Sequence, residues 1–273
     1  MNASNLDFSY KKIFNNNLYS FYHENTSLDN YNSHLFIKNI NYAVNNYDIY
    51  NKNKQDYNNF EGIKVNLYLP SKNNDESISL YKSILNRRST RKFKNKSLSF
   101  NDFSEILFYS LGCITQFTYN SIKCNSYAYP SAGGIDSLRF IIIVQNVEQI
   151  EKGVYCYDHD KHCLIKIMDE LDNGYKSLTL SCELTENIAF SVHVLGSMKI
   201  KGIKYGDKAY RYINIEAGHA AQNLYLTSIS KKLGVISSGG MLDGCLDKFS
   251  CVFEDDLLGL YEIFIGYPDG NDL

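Results

Sequence analysis

Several features of secreted, membrane-spanning and nucleic-acid-binding proteins are missing from this sequence. Its seven cysteines are odd in number and include no Cys-x-x-Cys pair, which argues against a disulfide framework and favours a reducing compartment. No apolar run approaches the length of a membrane span, and the first residues contain no apolar signal region. The formal net charge of -2 argues against general binding to nucleic acid or to an anionic membrane. We therefore expect a cytoplasmic protein that binds neither.

The residues that are present suit a folded protein of moderate size. The 273 residues are 44% hydrophobic and 14% aromatic, which is enough for a sizeable core. Residues 1–74 are rich in Asn, Tyr and Lys, and residues 72–75 have the composition of a linker. The sequence thus predicts an N-terminal extension over 1–74 and a main domain over 75–273. Strand-like and helical patterns are intermixed in the main domain, which predicts the α+β or mixed α/β class, and we adopt α+β.

Helices and strands of the main domain can be assigned from hydrophobic spacing. Residues 76–89 and 97–112 have helical spacing, with Asp75 and Ser99 as the expected N-terminal caps. The most apolar run, RFIIIV at 139–144, is the size of a strand. The remaining assignments are a buried strand at 189–195, partly helical structure within 246–260 and a final buried strand at 261–268.

Two groups of potential metal ligands favour a structural interpretation. Segment 152–167 alternates like a β-hairpin, and its Cys and His residues lack a standard zinc spacing. Glu216 and His219 have the Glu-x-x-His spacing of carboxylate-bridged metal sites, but no second carboxylate set matches it. We expect a structural hairpin, a buried polar contact at Glu216 and His219, and no metal. His193 is expected to be a core histidine.

The longest helical pattern lies within 204–240. It follows a turn at Lys204-Tyr205-Gly206, and Gly234 is the expected residue after its C-terminal cap. Small residues allow another backbone to approach closely, so we expect this helix at the centre of the protein or of a dimer. The small residues in its middle are Ala217, Gly218, Ala220 and Ala221.

Three short segments have side chains or backbone suited to an anionic, planar ligand. RRSTR at 87–91 combines arginines and hydroxyls that match a phosphate or an anionic ring edge, although the isolated motif by itself favours a solvated basic turn. The loop at 130–134, PSAGG, lacks bulky side chains and can pack flat against a planar ring. A loop at 237–240, SSGG, can wrap an anion with its backbone N–H groups.

Taken together, these segments resemble the FMN-dependent nitroreductase superfamily, and more closely its SagB-type branch of thiazole- and oxazole-forming dehydrogenases. YHENT at 22–26 is similar to a short upstream motif of that branch. The chain departs from the branch at Lys199 and Lys201, where an arginine and bulkier aromatic residues are expected. The matching segments follow the family's order: RRSTRKF (87–93), YPSAGG (129–134), KYGDKAYRY (204–212), EAGHAAQNLYL (216–226), SSGG (237–240) and FIGYP (264–268).

The resemblance implies a mixed, mainly antiparallel sheet flanked by helices, in an intertwined homodimer with FMN at the subunit interface. Lys204 and Tyr205 would be the catalytic pair. A lysine acts as a base only when burial or a nearby cation lowers its pKa, and Arg211 and Lys208 are near in sequence. The residues implied to bind FMN are Arg87, Arg88, Ser89, Arg91, Pro130, Ser131, Ala132, Gly133, Gly134, Ser238, Gly239 and Gly240.

The function implied is FMN-dependent oxidation of thiazoline or oxazoline rings to thiazoles or oxazoles in a ribosomally made peptide. O2 would reoxidise the flavin, and a cyclodehydratase would act beforehand and form a complex with the dehydrogenase. Two alternatives stay open. One is an NAD(P)H-dependent flavin reductase of nitro, quinone or enone compounds. The other is a catalytically idle scaffold subunit of a peptide-modifying complex.

Overall fold

The structure, a computed structural model, describes residues 18–28, 33–46, 57–58, 62–70, 79–119, 122–171, 173–242, 249 and 257–270. Within these ranges the helices are α1 (Leu18–Asn25), α2 (Ser33–Asn45), α3 (Leu80–Asn86), α4 (Phe100–Leu111), α5 (Met198–Tyr205) and α6 (Ala209–Ser230). The strands are β1 (Lys64–Asn66), β2 (Phe93–Lys94), β3 (Cys113–Tyr119), β4 (Ile122–Tyr127), β5 (Leu138–Val144), β6 (Gly153–Asp158), β7 (Cys163–Met168), β8 (Phe190–Ser197), β9 (Gly234–Ser238) and β10 (Leu257–Pro268).

A single large sheet organises the main domain. Its strands lie in the order β1-β7-β6-β5-β8-β10-β2, and β9 also pairs with β10. The strand pairs are antiparallel. Isolated parallel bridges join Ser89 to Val235 and Leu98 to Val147. The predicted α+β class and mainly antiparallel sheet are therefore confirmed.

The central strand β5 is buried along its whole length because both faces of the sheet are covered. Successive side chains of a strand point to opposite faces. Accordingly Phe140 and Ile142 join the core that contains the buried side chains of α4 and α6. Ile141 and Ile143 join the cluster on the other face, with Leu178. The continuous apolar run at 139–144 is thus the two-sided core strand that the sequence predicts.

Helix α4 has the ends that its sequence predicts. The Ser99 hydroxyl accepts the backbone N–H of Asp102 at 3.1 Å, which satisfies a donor at the helix start. Gly112 closes the helix and donates its N–H to the Phe108 carbonyl at 2.9 Å. The helix buries Phe103, Leu107 and neighbouring apolar side chains against the sheet.

Helix α3 differs from its prediction in two ways. It begins at Leu80 with Ser79 as the N-cap, while the expected cap Asp75 lies outside the described residues. Its apolar side chains point away from the chain's own core, since Tyr81 is 80% exposed and Leu85 is 73% exposed. An amphipathic spacing therefore formed a helix, but its apolar face has no cover within the described part of the chain.

The long helix α6 is the predicted one, and its small side chains let it lie against the sheet. Ala217, Ala220 and Ala221 are buried in the main core, whereas Gly218 is exposed. The end of the helix also differs from expectation, because Lys232 adopts the left-handed conformation with φ of 61°. Gly234 instead begins β9. A Cβ there would lie 2.6 Å from Thr90 side-chain atoms, so glycine permits this close approach.

Residues before the proposed boundary at 74 contact the main domain at several places, two of which involve backbone groups. Strand β1 extends the sheet by pairing with β7. Helix α1 touches the start of α6, because the Tyr22 hydroxyl donates to the Asp207 carbonyl and Arg211 donates to the His23 carbonyl. The division into 1–74 and 75–273 stays a proposal, and the predicted linker at 72–75 lies outside the described residues.

The remaining segments give one correction. The 152–167 hairpin is confirmed as β6 and β7, and β8 contains the predicted strand at 189–195. Residues 257–260, the end of the 246–260 segment predicted to be partly helical, belong to the strand β10, and Leu257, Leu258 and Gly259 pair with β8. The 246–248 and 250–256 parts of that expectation lie outside the described residues. No helix in the described part of the chain is long and apolar enough to cross a membrane.

The contact between Gly234 and Thr90 makes a testable stability prediction. Gly234→Ala should lower the free energy of unfolding by about 1–3 kcal/mol, because the added methyl group overlaps the Thr90 side chain. Urea denaturation measures the change. Gly202→Ala is the matched control: its Cβ meets no atom within 4 Å, and helix propensity should make it neutral or up to about 1 kcal/mol stabilising. Equal effects of the two substitutions would contradict the close approach.

Candidate active site

The lysine and tyrosine of the KYG motif lie at the end of a helix rather than in the turn that the sequence suggests. They are the last two residues of α5, which Gly206 terminates with a positive φ of 55°. Glycine adopts this conformation without the steric cost that a side chain would bring. The helix end fixes the backbone from which both side chains project.

Both side chains converge on the glycine loop that follows Pro130. Gly133 lies in a 3-10 turn, Ala132–Gly134, with φ of 66°. The position that a Cβ on Gly133 would take lies 2.7 Å from the Lys204 Nζ and 2.6 Å from the Tyr205 Oη. An amine and a phenol that come from a distant part of the chain therefore meet at one point beside exposed glycine backbone.

Helix α2 covers this pair. The Phe36 ring lies 6.0 Å from the Tyr205 ring, and Tyr212 of α6 makes an edge contact with the Tyr205 ring at 5.0 Å. Ala43 of α2 packs with Ile135 and Tyr205 in a small apolar cluster. Part of the N-terminal extension thus forms a wall of the site, a contribution for which the sequence gives no signal.

The Lys204 amine lies in surroundings that disfavour its charge. It is half-buried and, among the described residues, makes no hydrogen bond or ion pair; its nearest aromatic contact is the Tyr205 ring, 5.3 Å away. Burial lowers the pKa of Lys204 below the ordinary lysine value. The expected contribution of Lys208 and Arg211 is not observed. Their side chains instead donate to carbonyls of the N-terminal segment, at Thr26 and His23.

A buried ion pair contacts the glycine loop on which the lysine–tyrosine pair converges. The fully buried Lys201 ammonium donates to both carboxylate oxygens of Glu216 and to the Ser131 hydroxyl at 3.3 Å. Glu216 also accepts the Ala132 N–H at 2.8 Å and the Ser137 hydroxyl at 3.0 Å. Burial lowers the pKa of Lys201, and the Glu216 carboxylate opposes that effect. The sequence indicates a buried contact at Glu216 but not Lys201 as its partner.

The expected contribution of His219 to that contact is wrong, because His219 is exposed on α6. The hairpin histidines have structural partners: His162 is buried and shares a 2.6 Å hydrogen bond with Tyr157. His193 is the expected core histidine, fully buried beside the Ser191 hydroxyl at 3.0 Å. The described residues contain no group of three or more His, Cys, Asp or Glu side chains that could hold a metal ion.

The arginine-rich segment at 87–91 lies beside β9, although the two are far apart in the sequence. Ser89 forms a parallel bridge with Val235, and the Thr90 N–H donates to the Val235 carbonyl at 2.9 Å. The half-buried Arg87 guanidinium lies 5.8 Å from the centre of the Tyr225 ring. The Tyr225 hydroxyl in turn accepts the Ser237 N–H at 3.0 Å. The structure therefore brings the 87–91 segment next to the 237–240 segment.

The other two arginines of this segment are exposed and have different surroundings. Arg88 donates to the carbonyls of Leu85 and Arg87 at the end of α3. Arg91 borders a cleft of about 520 Å³ between the 91–93 segment, the 183–187 segment and β9. The acidic side chains of Glu183, Glu186 and Asp269 share the lining of this cleft.

The SSGG segment is only partly the loop that the sequence suggests. Ser237 and Ser238 belong to β9, and only Gly239 and Gly240 follow the strand. The Gly240 N–H donates to the Ser238 hydroxyl at 2.9 Å, and that hydroxyl lies 2.6 Å from the Ser181 hydroxyl. Gly239 is exposed, and nothing lies within 4 Å of the position of a Cβ there. An approaching ligand would therefore meet backbone at Gly239.

The convergence at Gly133 makes a prediction with a matched control in the next residue. Gly133→Ala should displace the Lys204 amine and increase its labelling by acetic anhydride, because a methyl group overlaps both polar atoms. Gly134→Ala carries the same conformational cost, with φ of 65°, but its Cβ meets nothing within 4 Å. Mass spectrometry of the labelled peptide measures both. Equal labelling of the two variants would show that Lys204 does not contact Gly133.

Comparison with known proteins identifies the fold. The sequence model of the Nitroreductase family matches residues 84–267. A nitroreductase-family protein of Methanocaldococcus jannaschii, MJ1384, is 30% identical over 184 residues, which are 67% of this chain and 89% of that protein.

Two solved structures share the fold at low sequence identity. A nitroreductase-like structure from Ralstonia eutropha JMP134 superposes with a TM-score of 0.58 at 17% identity, over 76% of this chain and 90% of that one. A chain of the Escherichia coli microcin synthetase McbBCD complex, solved with truncated pro-MccB17 bound, gives a TM-score of 0.56 at 18% identity, over 83% and 82% of the two chains. On the family match and the 30% identical relative, this chain belongs to the nitroreductase family of flavin oxidoreductases.

Proposed function

We propose that this protein is an FMN-dependent dehydrogenase that oxidises thiazoline or oxazoline rings to thiazoles or oxazoles in a ribosomally made peptide. The observation that carries the proposal is the meeting of the Lys204 amine and the Tyr205 phenol at Gly133. Transfer of a hydride alone requires no general base. Removal of a ring proton does require one, and the half-buried Lys204 amine can take that role.

The chemistry assigns a task to each member of the pair. Aromatising an azoline breaks two C–H bonds: one hydrogen leaves as a proton and the other leaves as a hydride. A neutral Lys204 amine can accept the proton, and burial favours that neutral form. The Tyr205 hydroxyl can donate a hydrogen bond to the ring or relay the proton. FMN, when bound, supplies the two-electron acceptor for the hydride.

The donor groups along β9 fit FMN in chemistry. Arg87, Arg91 and Ser89 offer guanidinium and hydroxyl donors that suit a phosphate and the anionic ring edge of a reduced flavin. We assign Arg88 to the same group, although its guanidinium also donates to two carbonyls at the end of α3. Segments with little side-chain bulk would face the ring and ribityl chain: Pro130, Ser131, Ala132, Gly133 and Gly134, and Ser238, Gly239 and Gly240.

The proposed partners are a peptide substrate, a cyclodehydratase and a second copy of this chain. A chain of the same fold occurs in a microcin synthetase complex with truncated pro-MccB17 bound, which supports a peptide-modifying assembly. The exposed apolar side chains of α3, such as Tyr81 and Leu85, support a protein interface on that helix. We assign this face to the homodimer, and we retain 1–74 as an extension of a 75–273 flavin-binding domain.

The family match also favours a second candidate, an NAD(P)H-dependent reductase of nitro, quinone or enone compounds. The two functions differ in the source of electrons for the flavin. Stopped-flow mixing of FMN-loaded protein with NADPH or NADH, and separately with a synthetic thiazoline peptide under anaerobic conditions, measures each reduction directly. Flavin bleaching by the peptide alone supports the dehydrogenase. Bleaching by the nicotinamide alone supports the reductase, and protein purified without the flavin band at about 450 nm supports an idle scaffold.

Replacing the proposed base tests the mechanism. Lys204→Ala should keep its FMN but lower azoline oxidation by at least about 100-fold, because the proton has no acceptor. The assay is mass spectrometry of the peptide, which loses about 2 Da on dehydrogenation. Lys199→Ala, which changes an exposed lysine of the same helix, is the control. Equal turnover in Lys204→Ala and wild type would exclude Lys204 from the reaction.

Replacing the arginines tests the cofactor site separately from the chemistry. Arg87→Ala and Arg91→Ala should each lower FMN affinity by about tenfold or more, since charge-assisted hydrogen bonds to the cofactor are lost. Titration of the apoprotein with FMN, followed by flavin fluorescence, measures the change. Lys92→Ala removes a neighbouring exposed positive charge as a control. Unchanged affinity in both arginine variants would contradict the assignment of this segment.

A further inference from the structure

Lys201, one of the two lysines that depart from the pattern of the SagB-type branch, lies one helical turn before Lys204 on the same face of α5. The Lys201 side chain is fully buried, while Lys204 is half-buried. A buried ammonium is stable only with close partners, and Lys201 has both carboxylate oxygens of Glu216 and the Ser131 hydroxyl. Lys201 and Glu216 therefore satisfy each other's charge inside the protein.

Glu216 simultaneously holds the glycine loop. Its Oε1 accepts the Ala132 N–H, one residue before Gly133, and its Oε2 accepts the Ser137 hydroxyl at the start of β5. The Glu216 carboxylate thus holds the chain by hydrogen bonds before and after Gly133, the residue on which Lys204 and Tyr205 converge. A shift of Glu216 would move that point.

The protonation of Lys204 depends on whether the carboxylates near it are already paired with other cations. Glu216 is the buried carboxylate of this part of the site, and Lys201 already occupies both of its oxygens. Asp136, which follows the loop, lies 3.0 Å from the Arg139 guanidinium and 3.3 Å from the His159 ring nitrogen. Among the described residues, the other titratable groups around the Lys204 amine include Lys201 itself, Tyr205 beside it, Tyr212 of α6, and Lys208 against Phe36 of α2.

We propose that Lys201 is a positioning residue: by occupying Glu216 it leaves the Lys204 amine without a counterion and holds the Gly133 loop against it. This inference rests on the proposed function, in which a neutral Lys204 takes a proton from the substrate. Without the Lys201 charge, the buried Glu216 carboxylate is unpaired, and the Lys204 amine one turn away is the nearest replacement partner on the helix. Pairing with Glu216 would keep Lys204 protonated, so that no neutral amine would be available to accept the substrate proton.

The test measures the protonation of Lys204 itself, without using an azoline. FMN-loaded full-length protein is labelled with acetic anhydride across a pH series, and mass spectrometry gives the labelling rate of Lys204. In Lys201→Met we expect the titration to move to higher pH and the rate near neutrality to fall at least about fivefold, because an ion pair favours the charged amine. Lys199→Met, which neutralises an exposed lysine two residues away, should match wild type.

A second variant separates charge from packing. Lys201→Met combined with Glu216→Gln removes the unpaired carboxylate, so Lys204 labelling should return to within about twofold of wild type. If the double variant stays as slow as Lys201→Met, or if Lys201→Met labels like wild type, Lys201 does not act through the charge of Glu216 and the proposal fails. Should Lys201→Met not fold, Lys201→Gln, which also removes the ammonium and leaves the Glu216 carboxylate without its ion pair, decides in the same way: slower Lys204 labelling supports the proposal, and labelling like wild type overturns it.

The outcome is distinguishable from failure of the proposed function. Wild-type protein that does not oxidise a thiazoline peptide, yet shows the Lys201-dependent change in labelling, overturns the dehydrogenase and leaves the positioning role in place. Active protein without the labelling change overturns the positioning role alone. In an active enzyme, Lys201→Met should lower kcat, leave KM for the peptide nearly unchanged and shift the pH profile upward.

Discussion

The ion pair between Lys201 and Glu216 is the constraint on which the candidate site depends. Removing two charges from water is costly, and the cost is recovered only when each charge finds close, well-placed partners. Here the partners come from three separate parts of the chain, because Lys201 lies on α5, Glu216 on α6, and Ser131, Ala132 and Ser137 lie in or just after the glycine loop. Satisfying one buried pair therefore fixes two helices and a loop relative to one another.

Helix α6 connects this arrangement to the arginine-rich segment. Glu216 lies near the start of the helix, and Tyr225, which carries the contact to Arg87, lies nine residues further on, about 13 Å along the axis. Buried alanines let the helix lie against the sheet between these two points. The helix thus sets the distance between the amine–phenol pair and the groups proposed to hold the flavin phosphate.

The sequence predicted the parts of this structure that depend on local pattern. The RFIIIV strand, the Ser99 cap and the 152–167 hairpin follow from hydrophobic period and capping chemistry, which act over a few residues. Contacts between distant segments were not predictable in the same way. Lys201 looked only like a departure from a motif, because nothing local reveals that a lysine will be buried against a carboxylate fifteen positions away.

A similar limit explains the errors at particular residues. His219 has the spacing of a ligand to share a site with Glu216, but only Glu216 is buried, while His219 is exposed to solvent. The KYG motif looks like a turn because of its glycine, yet the helix continues through Tyr205 and uses Gly206 to stop. The cover that Phe36 gives to Tyr205 joins residues 169 positions apart, a separation at which side-chain pattern carries no information.

The most direct measurement is a crystal structure of the FMN-loaded protein. The predicted result has the Lys204 amine and the Tyr205 hydroxyl over the reactive face of the flavin ring beside Gly133, with Glu216 still bound to Lys201. A flavin bound away from Gly133, or a Lys204 amine paired with Glu216, would contradict the central claim.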